Sequence, residues 1–363
     1  MNERQQKQQQ IKELLERHGL DALLLQRVSS FAWATCGAAS YVNTATDLGA
    51  ASLLFTPQGD YVLTNNIEAT RLAQEEKLDQ QGFQIVAPFW YEGANPVAEL
   101  AGNLRLGADV PYPGATDLSA EIAQLRARLL PEEGERFRQL GRLCAEAMDA
   151  AIRQVRPGQS EYQIAALLAG ETQARGVQPI VNLIATDRRI FSFRHPLPAD
   201  KTLERYAMLV LCGRRWGLVC SITRLVHFGP LPPELQRKQE ACARVDATFI
   251  AATRPGARLG DVFSQALAAY AATGYADEWK LHHQGGSAAY EPREHVATAA
   301  SDEIVYEGQA FAWNPSITGT KSEDTILVGA HANEILTAIP GWPVMEVEVD
   351  GQIIPRPAIL VVD

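Results

Sequence analysis

Apolar residues at Ile11, Leu14 and Leu15 recur at helical spacing, and Gly19 follows where a helix stops. Asp21-Ala22-Leu23-Leu24-Leu25 is then a short apolar run, the pattern of a buried strand. Ala51–Phe55 and Tyr61–Thr64 are two further strand patterns, and Thr56-Pro57-Gln58-Gly59-Asp60 between them carries turn chemistry, which predicts a hairpin. Ile67–Glu76 and Leu118–Leu129 return to helical spacing, with short strand patterns at Phe83–Ala87 and Leu106–Asp109. Helices alternating with strands over about the first 130 residues predict one α/β domain, and it contains no glycine-rich phosphate loop.

A second domain is predicted to open at Pro131-Glu132-Glu133, giving domains 1–130 and 131–363. Proline suits the first turn of a helix, and two acids there complement its dipole. The helix runs to about Val155. Beyond it the pattern repeats. Cys144-Ala145, Ile152, Arg156-Pro157-Gly158 and Ile164 recur as Cys242-Ala243, Ile250, Arg254-Pro255-Gly256 and Val262, at a constant offset of 98 residues. The period is far longer than that of a solenoid. Two readings follow: pseudo-twofold halves around a central site, or two unrelated helices that both end at Pro-Gly. Strand patterns follow in each half, at Tyr206–Leu211 and Leu218–Ile222, then at Ala310–Trp313 and Thr325–Val328.

Composition narrows the classes. A length of 363 residues favours two domains, and 46% hydrophobic with 21% charged residues suits a globular protein in water. A net charge of -10 argues against general nucleic-acid binding. The five cysteines, Cys36, Cys144, Cys212, Cys220 and Cys242, include no closely spaced pair, so reduced, buried thiols are expected. Cys212 and Cys220 are expected in the core rather than as nucleophiles. The polar stretch Met1–Gln10 has no apolar signal region and no run is long enough to span a membrane, so the expected location is cytoplasmic.

Chemistry-bearing residues gather in two stretches, at strand ends where a cleft would collect them. One holds Arg194-His195-Pro196 and, later, Cys220-Ser221-Ile222-Thr223-Arg224; the other holds His282-His283-Gln284-Gly285-Gly286, Trp313-Asn314-Pro315 and Lys321-Ser322-Glu323-Asp324. Arg194, Arg224, Arg293 and Lys321 make this frame basic in an acidic chain. The cations either read a carboxylate or other anion on a ligand, or pair with Glu291, Glu294 and Asp324 nearby. His282 and His283 are adjacent, and on a regular strand adjacent side chains point to opposite faces, which argues against joint coordination of a metal. Gly285-Gly286 either belongs to the motif that His283 opens or is only a tight turn.

These motifs, in this order, resemble the creatinase / aminopeptidase P / prolidase (M24) family across nearly the whole chain. The resemblance implies an α+β protein: a pita-bread catalytic domain with pseudo-twofold halves, preceded by a smaller α/β creatinase-type domain. It also implies a homodimer. Peptidases of that family hold two divalent ions with two Asp, one His and two Glu. Matched motif by motif, Ser221-Ile222-Thr223-Arg224 puts Ser221 where the second Asp stands, and the family's spacing puts Val210 at the first. Asn314-Pro315 puts Asn314 at the first Glu, and only His283 and Glu323 keep ligand identities. Replacing three carboxylates by Val, Ser and Asn removes the bridging anions that two close divalent cations need. No metal cofactor is therefore expected, beyond at most one weakly held divalent ion.

The resemblance further implies a proton-handling role for His195, since creatinase, a metal-free member, uses a histidine at the matching place. The candidate catalytic residues are His195, His283 and Glu323, and the candidate substrate-binding residues are Ser221, Arg224, Asn314, Arg293 and Lys321. Three functions stand. The first is metal-independent hydrolysis of an amide or related C–N bond in a small peptide or amino-acid derivative. The second is a non-catalytic ligand-binding protein of the same fold. The third is an Xaa-Pro aminopeptidase or dipeptidase with an unusual metal site.

Overall fold

The polar start of the chain is helical. Asn2 caps the helix Glu3–His18: its side chain accepts from the Gln5 backbone N–H while the Gln5 side chain accepts from that of Asn2, and Gly19 closes the other end at φ 63°. The helix thus begins a full two turns before its first apolar residue, Ile11, because the capping pair satisfies the free N–H groups. The computed structural model describes residues 1–363. It divides into two units, Met1–Glu132 with Trp216–Leu218, and Glu133–Arg215 with Val219–Asp363.

The first unit holds a six-stranded mixed sheet in the order Gln84–Val86, Gly59–Leu63, Leu48–Thr56, Ala22–Arg27, Leu106–Ala108, Thr116–Asp117. The hairpin pairs Phe55 with Asp60 and Leu53 with Val62. Leu23, Leu24 and Leu25 are fully buried on the central strand, so neither face of it meets water. Each such side chain contributes about 1.5–3 kcal/mol by leaving water.

The second unit is built twice over. Helices Pro131–Ile152 and Glu161–Ala174 flank Arg156-Pro157-Gly158, and helices Pro233–Ala252 and Leu259–Ala272 flank Arg254-Pro255-Gly256. The two Pro-Gly turns are equivalent in detail. Gly158 (φ 90°) and Gly256 (φ 86°) both adopt the left-handed conformation, and their N–H groups donate to Leu203 O at 2.8 Å and Val305 O at 2.9 Å. The repeat is therefore two related halves, not a coincidence of Pro-Gly stops.

Each half contributes a sheet. The first has the order Leu360–Val362, Leu218–Phe228, Tyr206–Arg215, Gln178–Thr186; the second has His295–Val296, Gly285–Ala288, Ala310–Trp313, Asp324–Leu327, Glu334–Ile335. Trp216 and Gly217, both at positive φ, turn the long hairpin of the first sheet, as a two-residue connection matched to strand twist requires. In the second sheet Trp313 stacks between Phe249 (4.3 Å) and Phe311 (5.5 Å), and its Nε1–H donates to Thr253 Oγ1 at 3.0 Å. That packing fixes the end of strand Ala310–Trp313, and so the position of Asn314. A carboxy-terminal hairpin pairs Val344–Val349 with Gln352–Pro357.

Candidate active site

Strand register brings the motif residues together. Gly285 pairs with Trp313 and Trp313 with Asp324, so His283, Asn314 and Glu323 emerge from the same end of three neighbouring strands. Gly285 (φ 103°) and Gly286 (φ 155°) are not a turn: they lie in the strand. A Cβ on Gly285 would strike Ala312 O, and one on Gly286 would strike His295 O, so glycine here lets three strands approach closely. From the other sheet, Val210 and Cys212 point to one face and pair with Leu183 and Val181. The two sheets meet where Thr223 N–H donates to Glu323 O at 3.2 Å.

Between them lies a cavity of ≈ 290 Å³. Val181, Leu183, Val210 and Pro292 form its apolar wall; His195, His283, Arg293, Asn314, Lys321 and Glu323 are its polar groups, with Cys212 beside them. Six of the eight residues selected from sequence thus face one space. Cys212 is buried, as expected, yet it also faces the cavity. Burial pushes its thiol up to about 11, which leaves it un-ionised near neutrality.

Glu323 organises the floor. Its Oε2 lies 2.7 Å from Lys321 Nζ and accepts from Thr223 Oγ1 at 2.5 Å, and its Oε1 lies 3.1 Å from Arg293. Burial alone would raise this carboxyl, but Lys321 and Arg293 with these hydrogen bonds outweigh it and hold it at about 2. Glu323 is a fixed anion and a poor base. Arg293 and Lys321 share Glu323, an acid not among the partners expected from sequence, whereas Arg224 does meet Asp324. Asn314 is buried, and its Oδ1 has no hydrogen-bond partner within the protein.

Ser221 and Arg224 do not line the cavity. The Ser221 hydroxyl accepts from Arg293 at 3.2 Å and lies 3.3 Å from Cys212 Sγ, so it supports the wall from behind. Arg224 points the other way. It pairs with Asp324 at 2.7 Å and donates to Thr223 O at 2.8 Å and Thr337 O at 3.0 Å. Its two terminal nitrogens are bonded in the interior and it does not line the cavity, which removes the geometric basis for a substrate contact.

Three imidazoles stand at the rim. The His195 and His282 Nε2 atoms are 3.0 Å apart, and the ring centroids of His195–His282, His195–His283 and His282–His283 lie 4.8, 5.8 and 4.5 Å apart. His282 and His283 therefore converge rather than diverge. They sit in the link between the short 3₁₀ turn Glu278–Leu281 and the strand that begins at Gly285, so strand alternation does not apply to them. Burial first, and then the neighbouring cations, lower all three rings, His282 to about 2 and His283 to about 4. The sequence reading that His282 and His283 diverge is thus corrected, and the adjacent histidine pair was the signal for the cluster.

Two sheets related by an internal repeat, delivering histidine, lysine, arginine and glutamate to one cavity, define a hydrolase-type pita-bread frame. The chain belongs to metallopeptidase family M24, whose signature matches residues 135–330. It is 23% identical over 360 residues to an Xaa-Pro dipeptidase of Pyrococcus horikoshii, covering 93% of this chain and 97% of that protein. Two other relatives, from Bacillus subtilis and Staphylococcus saprophyticus, match at 23% over 241 and 25% over 234 residues, and the chain spans 65% of the length of each. Among solved structures, the prolidase of Pyrococcus horikoshii superposes with a TM-score of 0.79 at 18% identity, over 92% of this chain and 98% of that one. An Xaa-Pro dipeptidase of Bacillus anthracis superposes with a TM-score of 0.80 at 16% identity, over 99% and 100%. No helix is long and apolar enough to cross a membrane.

Proposed function

We propose that this M24 protein hydrolyses an amide or related C–N bond in a small peptide or amino-acid derivative without a dinuclear metal centre. The observation that carries this reading is the state of Glu323: both of its oxygens are engaged by Lys321, Arg293 and Thr223. It is also the only carboxylate on the cavity wall. Two close divalent ions need carboxylates to bridge and neutralise them. Val210, Ser221 and Asn314 offer none, and Lys321 and Arg293 already supply the positive charge. The donor set does not fit such a pair.

In this reading the two cations do electrostatic work that metals do elsewhere. One anionic and two cationic side chains leave the floor with a net positive charge, suited to a substrate carboxylate or a developing oxyanion. The Asn314 Oδ1 is free to accept a substrate N–H. The apolar wall takes a hydrocarbon side chain or ring, in keeping with the Xaa-Pro dipeptides named for relatives. Neutral His195, at the rim, takes a proton from water as it attacks the carbonyl carbon and returns it to the leaving nitrogen as the C–N bond breaks. His283 polarises the carbonyl. The expected assembly is a homodimer, which light scattering checks.

The test is turnover of dipeptides and N-acyl amino acids by chelator-treated protein. Activity should survive chelation, and His195→Ala should lower kcat by roughly 10²–10⁴-fold with a smaller change in KM. Loss of activity on chelation, restored by a divalent ion, would establish the metallopeptidase reading instead. One observation favours a second reading, a ligand-binding protein without turnover. The cavity holds no activated nucleophile: Cys212 is raised to about 11 and Glu323 held at about 2. Ligand binding with no turnover across the same library would establish it.

A further inference from the structure

We propose that His195, His282 and His283 form a site for one transition-metal ion that prefers imidazole, such as Zn²⁺, Ni²⁺ or Cu²⁺, and that its occupation inhibits the protein. One ligating atom from each ring lies within 4.8 Å of the others. His195 and His282 present Nε2 to Nε2 at 3.0 Å. An ion with metal–nitrogen bonds of about 2.0–2.1 Å in tetrahedral geometry holds its ligand nitrogens about 3.3 Å apart. Small ring rotations would therefore close the three donors around one ion. His282 Nδ1 has no hydrogen-bond partner in the protein, so no bond at that nitrogen holds the ring against rotation toward an ion.

The ligand chemistry also sets the selectivity. Three imidazoles suit Zn²⁺, Ni²⁺ and Cu²⁺, whereas Mg²⁺, Ca²⁺ and Mn²⁺ prefer oxygen donors. The carboxylate on the cavity wall, Glu323, is taken up by Lys321, Arg293 and Thr223. This site differs from the family's ligand set in using His195 and His282, neither of which matches a metal ligand there. The inhibitory part rests on the proposed function: an ion on His195 removes the lone pair that the proton transfer needs.

The experiment titrates tag-free, chelator-stripped protein with Zn²⁺ and with Mn²⁺ by calorimetry, and records the visible spectrum of the Co²⁺ form. The expected result is one Zn²⁺ per chain, no Mn²⁺ binding in the same range, and nitrogen-ligated Co²⁺ bands. His282→Gln should weaken Zn²⁺ binding roughly tenfold or more, and Asn314→Ala should leave it unchanged. Thermal melts check that both variants fold. Two ions per chain, or Zn²⁺ affinity lost in Asn314→Ala but kept in His282→Gln, would overturn the site; so would a wild-type Co²⁺ spectrum without nitrogen ligation. Zn²⁺ should suppress turnover and a chelator should restore it. Binding as described together with turnover raised by Zn²⁺ would leave the site standing and sink the metal-independent mechanism.

Discussion

Residues 321–324 serve two buried charge clusters that differ in one respect. Strand alternation sends Lys321 and Glu323 to the cavity, and Ser322 and Asp324 to the opposite side. On that side Asp324 meets Arg224 at 2.7 Å and Arg356 at 2.6 Å, and Arg356 also meets Asp246 at 2.6 Å. The Ser322 hydroxyl donates to Asp246 at 2.5 Å. Two anions and two cations cancel there, and all four side chains are shut away from solvent. On the cavity side one anion faces two cations, and the surplus charge borders open space. A closed, neutral cluster fixes structure; an open, unbalanced one is available to a ligand.

That difference is testable by breaking each cluster in turn. Asp324→Ala leaves Arg224 and Arg356 with only Asp246 between them, and should cost about 3–5 kcal/mol in urea unfolding. Next in size, Lys321→Met should lower affinity for a carboxylate-bearing ligand by roughly 10–100-fold, while affinity for a neutral analogue changes little. Equal losses for both ligands would mean that the surplus charge is not what selects. The stability cost of Lys321→Met should be smaller than that of Asp324→Ala, because Arg293 still neutralises Glu323.

The last prediction concerns pH dependence. His282 and His283 are held below their ordinary value of 6.5, at about 2 and about 4. The unfolded chain therefore binds more protons than the folded one as pH falls from about 6.5 to 4, and stability should decline across that window. His283→Gln should flatten the decline. Glu323, held at about 2 against an ordinary 4.5, adds a second loss as pH falls below 4.5. Urea midpoints measured in steps from pH 7 to 3 separate the two; an unchanged midpoint from pH 7 to 4 would contradict the assigned state of the histidines.

Much of this was legible in the sequence. The offset of 98 residues between matched Pro-Gly turns exposed the two halves, because a helix stop leaves a strong local mark. His195, His283, Asn314 and Glu323 stood out because their motifs resemble those of the M24 family, and all four line one cavity. What stayed hidden was set by partners distant in sequence. Arg224 and Lys321 look alike as basic residues near motifs, yet Asp324 engages one in the interior and the cavity receives the other. Val181 and Leu183 reach the wall only through pairing with Cys212 and Val210, a register that no local pattern reveals. His282 was misread because a strand was assumed to begin before Gly285.

The hydrogen bonds between Thr223 and Glu323 join positions 100 residues apart. Closing so long a loop is entropically slow, and contacts of this kind form after the local helices and hairpins of each half. The cavity should therefore be absent from early folding intermediates and complete only when both halves have docked. Either half alone, expressed as a fragment, should lack it. A ligand for this site would then report the final step of folding and, by binding only the finished state, would draw the chain toward it.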